Sequence, residues 1–182
     1  VTYRSLAGTS VLWDFVELPS QVQENWCYEK ETLDLFAQHY QTGGKIPEAL
    51  IEKLRASKNF MGGWMGLRQT NLGVLDMAWH SQDPSTISDV AMFEDAETAE
   101  TSLFPRLAGP TSTSFSHIFG GGYSAGYYSY KWAEVLDADS VEWFKEHGGL
   151  KRENGDHFRK TLLSRGGAID AMQLFRDFRG AD

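Results

Sequence analysis

Along this chain apolar residues return every three or four positions far more often than every second one. Trp13 and Val16 are three apart, and Leu33, Phe36, Ala37 and Tyr40 follow the rhythm of a single helix face. The spacing predicts helices over about 12–27, 29–41, 47–56, 59–81, 85–101, 124–147, 153–164 and 168–178, each end uncertain by roughly two to four residues. Period-two alternation is scarce. The expected fold class is therefore all-α and multi-helix, with residues 1–182 forming a single helical domain.

The punctuation agrees with these breaks. Gly43-Gly44 ends one segment, Pro47 sits where a first helical turn tolerates it, and Gly148-Gly149 stops the long aromatic helix. Pro19 falls inside the first predicted helix, so it either kinks that helix or marks its true start. The stretch 105–116, with two prolines and a Thr/Ser run, reads as a loop that delivers the chain to His117. No internal repeat or low-complexity segment is present, which disfavours a solenoid.

Composition narrows the function classes. The 182 residues are 41% hydrophobic and 13% aromatic, enough for a globular core. A net charge of −8 argues against nucleic acid as a partner, since a phosphate backbone calls for a basic face. No run of apolar residues is long enough to span a membrane. The single cysteine, Cys27, excludes an internal disulfide and points to a reducing, cytoplasmic setting; between Trp26 and Tyr28 it is expected to be a buried apolar filler. The chain opens without an initiator Met or a helix cap, and is expected to begin inside a longer polypeptide.

Two stretches carry candidate chemistry. The segment from His117 to Tyr130 packs one histidine, four glycines and four tyrosines into fourteen residues. Gly120, Gly121 and Gly122 allow positive φ and close approach to a ligand, and the tyrosines that follow can aim phenolic donors at it. A flexible turn leading into an aromatic helix face is the competing interpretation. If the segment from Tyr123 is helical, Tyr123, Tyr127 and Tyr130 share one face, while Tyr128 points elsewhere and packs. In the first predicted helix, Glu17 and Glu24 are seven apart with Gln21 between them. Such a face can project a ligand into an apolar cleft, or it can simply be solvated, and paired acids at helical spacing are commonplace.

The residues leave metal binding open. The histidines are His39, His80, His117, His147 and His157, and no two sit at the spacing that gathers ligands on one helix. There is no His-Glu-x-x-His. The serine-rich stretch 111–116 lacks a Gly-x-Ser-x-Gly elbow, and the glycine triplet lacks the Lys-Ser/Thr of a phosphate loop.

Three segments together resemble a known family. Leu6-Ala-Gly-Thr-Ser-Val-Leu-Trp-Asp-Phe-Val-Glu-Leu-Pro-Ser-Gln-Val-Gln-Glu-Asn-Trp26 looks like the stretch that follows the zinc-binding helix of the thimet oligopeptidase family of zinc metallopeptidases. Phe115 to Val135 resembles that family's glycine-tyrosine loop, and Leu163-Ser-Arg-Gly-Gly through Phe175-Arg-Asp-Phe-Arg-Gly180 its carboxyl-terminal end. The bacterial peptidyl-dipeptidase and oligopeptidase A branches are the nearest in pattern.

The resemblance implies a carboxyl-terminal part of a mostly helical catalytic domain that hydrolyses short peptides with one zinc ion. It implies Glu17 as the third protein ligand of that zinc; on the same helix face Glu24 is a candidate acceptor to orient a neighbouring imidazole. Tyr130, with Tyr123 as a second donor, is implied at the developing oxyanion; His117 and Tyr127 are implied at the substrate backbone. Gly120, Gly121 and Gly122 would let the loop close over a peptide. The sequence departs from the family pattern in lacking His-Glu-x-x-His, so the implied partners are short peptides and the upstream part of the same catalytic domain, and the chain alone is expected to be inactive. The alternative is a metal-free helical module that binds peptides.

Overall fold

The computed structural model describes residues 1–181. Its elements are helical, as the spacing predicts: α1 (Trp13–Val16), α2 (Leu18–Trp26), α3 (Lys30–Phe36), α4 (Glu48–Lys58), α5 (Gly62–Ser81), α6 (Val90–Glu97), α7 (Ser116–Phe119), α8 (Ser129–Glu146), α9 (Arg152–Phe158) and α10 (Ala171–Arg179). Short 3-10 turns and one π-helical turn, Arg159–Leu163, lie between them. Among the described residues no β-strand forms, and one isolated antiparallel bridge pairs Gln38 with Lys45.

Two compact units are present. The first comprises Val1–Asn59 together with the described residues from Trp132 onward, and the second is Phe60–Lys131.

The core of the first unit is aromatic. Leu18 and Val22 of α2 pack with Leu136, Trp143 and Phe144 of α8, with Phe158 and Leu162, and with Leu174, Phe175 and Phe178 of α10. Helix α10 shows why its sequence folds this way: Leu174, Phe175 and Phe178 are buried at helical spacing while Arg176 and Arg179 fall in its last turn. Asp170 caps its start by accepting from the amide of Gln173 at 3.1 Å, and Gly180, at φ 79°, ends it in the left-handed conformation. Arg179 ties α10 to α8 through Asp139 at 2.9 Å and Glu146 at 2.8 Å. Gly148 and Gly149, both at φ 85°, close α8 as the sequence predicts, the Gly149 amide donating to Phe144 at 2.8 Å.

Several expectations are corrected. Pro19 marks a true start: it lies in the first turn of α2, and the predicted 12–27 helix is two helices joined at Glu17. The predicted 29–41 helix ends at Phe36, because Ala37 adopts ψ 87° and the next residues form the bridge between Gln38 and Lys45. Cys27 is exposed, not a buried filler; Trp26 takes the inward position, its ring 5.0 Å from that of Phe144. The predicted helix 124–147 begins at Ser129.

The second unit is built on α5, whose inner face carries Leu72, Leu75 and Trp79. Phe115, Ile118 and Tyr127 pack on the same cluster. Helix α6, predicted over 85–101, is shorter. Asp89 caps it by accepting from Met92 at 2.9 Å, and Thr98 ends it.

Candidate active site

Glu17 belongs to the first unit and the residues from His117 to Tyr130 to the second. Each set is built by its own local structure.

Glu17 occupies the joint between α1 and α2, with φ −87° and ψ −9°. Directly below it Leu18 is fully buried and fastens the joint to the core. Ser20, one turn on, donates its hydroxyl to Oε2 of Glu17 at 2.8 Å and to its carbonyl oxygen at 2.9 Å. A hydroxyl bonded to one carboxylate oxygen fixes the orientation of the group, which is what an outer-shell partner does for a metal-ligating carboxylate. Glu24 lies further along α2 and is exposed. Among the described residues no three His, Cys, Asp or Glu side chains are grouped as a metal site. Glu17 with Ser20 fits one ligand of a zinc ion, and these residues do not supply the rest.

In the second unit the Gly120–Gly122 triplet folds back over the end of α7. The amides of Gly120 and Gly121 both donate to the Ser116 carbonyl, at 2.8 and 2.6 Å, and the Tyr123 amide donates to His117 at 2.9 Å. Gly121 is required by space: a Cβ there would meet Cα of His117 at 2.8 Å. Gly122 is required by conformation, at φ 87°.

The fold-back gathers four rings. Tyr123 stacks on Tyr130 with centroids 5.2 Å apart, and Tyr127 meets Tyr130 at 4.9 Å. His117 stands 6.0, 5.8 and 6.3 Å from Tyr123, Tyr127 and Tyr130 respectively. The sequence expected Tyr123, Tyr127 and Tyr130 to share a helix face. They do converge, but through a hydrogen-bonded turn over 123–128 that precedes α8. Tyr128 is 51% exposed and so is not the packing residue expected of it. At that position it is the backbone that packs: a Cβ on Gly73 of α5 would lie 4.0 Å from Cα of Tyr128, leaving the ring outside.

Exposure grades across the group. His117 is exposed, Tyr123 and Tyr130 are half-buried, and Tyr127 is buried against Phe115, whose ring is 5.0 Å away. Burial pushes the Tyr127 phenol above its ordinary value, with Arg68 opposing, so it stays a protonated donor at neutral pH.

Two buried acids that sequence reasoning missed hold this region in place. Asp76 of α5 accepts from the amides of Ala125 and Tyr127 at 2.9 and 2.8 Å. Glu94 of α6 accepts from the amides of Thr111 and Ser112 at 2.8 and 2.9 Å and from the Ser112 hydroxyl at 2.8 Å. Ser112 in turn receives the indole N–H of Trp79 at 2.9 Å. The signal was available for Asp76, an acid four residues after Leu72 and three before Trp79, on the apolar stripe of α5 where a solvated carboxylate does not belong.

Comparison with known proteins reaches across the whole chain. The family model described as Peptidase family M3 matches residues 1–182. The dipeptidyl carboxypeptidase of Escherichia coli K12 is 41% identical over 181 residues, 98% of this chain and 27% of that protein. The oligopeptidase A of Salmonella typhimurium LT2 is 42% identical over 177 residues, 96% of this chain and 26% of that protein. A thimet-like oligopeptidase of Dictyostelium discoideum is 35% identical over 184 residues, and 27% of its length is covered. The chain thus spans about a quarter of the length of the curated relatives it matches.

Proposed function

This chain belongs to peptidase family M3, and from that premise we propose that it supplies one zinc ligand and the substrate-facing loop of a zinc-dependent peptidase that hydrolyses short peptides. The observation that supports this reading is the convergence of His117, Tyr123, Tyr127 and Tyr130 beside a glycine fold-back. The relatives' names, dipeptidyl carboxypeptidase and oligopeptidase A, support short peptides as the substrate class.

Glu17 would hold the zinc, with Ser20 keeping its carboxylate oriented. Glu24 would accept from an imidazole ligand. The remaining ligands and the general base, in a His-Glu-x-x-His segment, are assigned to residues outside these 182. When bound, zinc supplies Lewis-acid polarisation and activation of water. Tyr130, with Tyr123 stacked on it, donates to the oxygen of the scissile carbonyl as negative charge grows there, a donor whose loss typically costs about 2.7–4 kcal/mol of barrier. His117 and Tyr127 contact the substrate backbone. The fold-back of Gly120–Gly122 admits the peptide close to the main chain and closes over it. The exposed single thiol of Cys27 accords with work in a reducing, cytoplasmic setting.

The test is hydrolysis of short synthetic peptides by the full-length protein that contains this chain. The reading expects cleavage that a chelator abolishes and added zinc restores. Peptide binding that neither zinc nor chelator alters, without cleavage, would instead support the metal-free peptide-binding module.

A further inference from the structure

In the C-terminal third of α5 one carboxylate is committed to the main chain of the glycine-tyrosine loop. Asp76 is 1% exposed. Its Oδ1 accepts from the Ala125 amide and its Oδ2 from the Tyr127 amide, at 2.9 and 2.8 Å. His80, one turn along the same helix, brings Nδ1 to 2.8 Å from Oδ1. A buried carboxylate is tolerated when it is hydrogen-bonded, and here both oxygens are engaged by main-chain amides; His80 Nδ1 also lies 2.9 Å from the Asp76 carbonyl oxygen.

The position of the two amides makes the contact specific. Helix α8 starts at Ser129, so residues 125 and 127 have no acceptor four positions back in a helix. Between them the Gly126 amide turns to the Tyr123 carbonyl at 2.9 Å. Ala125 is held at φ 54°, an uncommon conformation for a residue with a side chain. Alternate amides thus face the carboxylate, with Tyr127 one of the two gripped residues and Tyr123 two positions before the other. The Tyr130 amide then hangs from the Tyr127 carbonyl at 3.3 Å.

We propose that Asp76, with the His80 imidazole against one of its oxygens, is the positioning residue of the peptidase site: it sets the 123–127 turn and thereby the placement of the Tyr123, Tyr127 and Tyr130 hydroxyls. The inference rests on the functional reading above. Asp76 touches no reacting atom; it acts through the tyrosines.

The experiment compares Asp76→Asn, Tyr130→Phe and the double variant in the full-length zinc-loaded protein, with amide exchange read at Ala125 and Tyr127. Asn keeps one acceptor and sets an N–H₂ against an amide donor in place of the other. Exchange at the two amides should accelerate, zinc content should hold, KM should rise as Tyr127 shifts, and kcat should fall by about tenfold to a hundredfold, as for a small misplacement of reacting groups. Added to Tyr130→Phe, Asp76→Asn should cost little more, since both changes disable one unit. Wild-type kcat in Asp76→Asn, or losses that multiply in full in the double variant, overturns the inference. Should Asp76→Asn fail to fold, His80→Gln, at a side chain 26% exposed, repeats the comparison. A smaller kcat loss suppressed by Tyr130→Phe supports the role, and an unchanged kcat overturns it. A wild-type protein that cleaves no peptide removes the functional reading itself, while amide exchange still reports whether Asp76 grips the loop.

Discussion

Replacing each glycine of the 120–122 triplet by alanine asks three different questions of one turn. At Gly120 the nearest atom to a new Cβ is the Ser116 carbonyl oxygen at 3.9 Å, an ordinary contact, so Gly120→Ala should change stability by no more than about 0.5 kcal/mol. At Gly121 the same methyl would lie 2.8 Å from Cα of His117 and 3.1 Å from the carbonyl oxygens of His117 and Ser116. Carbon atoms prefer about 3.5–4.0 Å, so the turn or the end of α7 must move by roughly 0.7 Å. All three obstacles are backbone and none can swing aside, which puts the cost in the range of about 1–3 kcal/mol. Gly122→Ala meets no atom but must hold φ 87°, a penalty of about 1–2 kcal/mol. The assay is urea unfolding of the full-length variants, with kcat on a short peptide measured in parallel. Gly121→Ala should also displace His117 and Tyr123, whose backbone bond at 2.9 Å spans the fold-back, and so should lose the most turnover. A Gly121→Ala protein as stable and as active as Gly120→Ala would refute the steric reasoning.

Other expectations follow from buried acids and from the metal. Glu94→Gln leaves at least one amide of Thr111 or Ser112 facing a donor, and unfolding should detect a loss of about 1–3 kcal/mol. Burial alone pushes the Glu94 carboxyl up, but the bonds from Ser112 and Thr111 together hold it below its ordinary 4.5. Its contribution is therefore present above about pH 4.5 and fades as pH falls through the depressed value, so wild type and Glu94→Gln should converge in acid. Asp137 has the opposite sign: burial raises its carboxyl above 3.8, helped by Glu134 and Glu24 and opposed by Asn25 and Lys58. Its ionisation works against folding as pH rises past 3.8, and Asp137→Asn should gain stability relative to wild type between pH 4 and pH 7, read from unfolding midpoints. The 182-residue chain alone should neither retain zinc on dialysis nor cleave peptides; chelator-sensitive cleavage by it would contradict the assignment of ligands elsewhere.

What the sequence made legible was periodic. Spacing by three and four located the helices because each turns one apolar stripe inward, as α10 does with Leu174, Phe175 and Phe178. Long-range hydrogen bonds are not periodic, and one of them accounts for the misplaced start of α8. The helix expected from residue 124 is a turn instead because Asp76, 49 residues earlier, takes the Ala125 amide. The converging tyrosines were recognisable as a group, yet the reason they converge lies in that acid and in the space beside Gly121. Cys27 and Tyr128 were misjudged for a shared reason: each stands next to an aromatic residue that takes the inward place, Trp26 and Tyr127. For Glu17, spacing with Glu24 left a ligand and a solvated face both open, and the zinc role proposed for it rests on resemblance, because paired acids at helical spacing are commonplace.

The central claim is that Glu17 holds metal while Tyr130 acts on the substrate. Measuring bound zinc and kcat side by side for Glu17→Ala and Tyr130→Phe in the full-length protein tests it directly. Glu17→Ala should lose zinc and activity together, whereas Tyr130→Phe should keep its full complement of zinc and lose turnover. Equal zinc loss in both variants, or full zinc in Glu17→Ala, would contradict it.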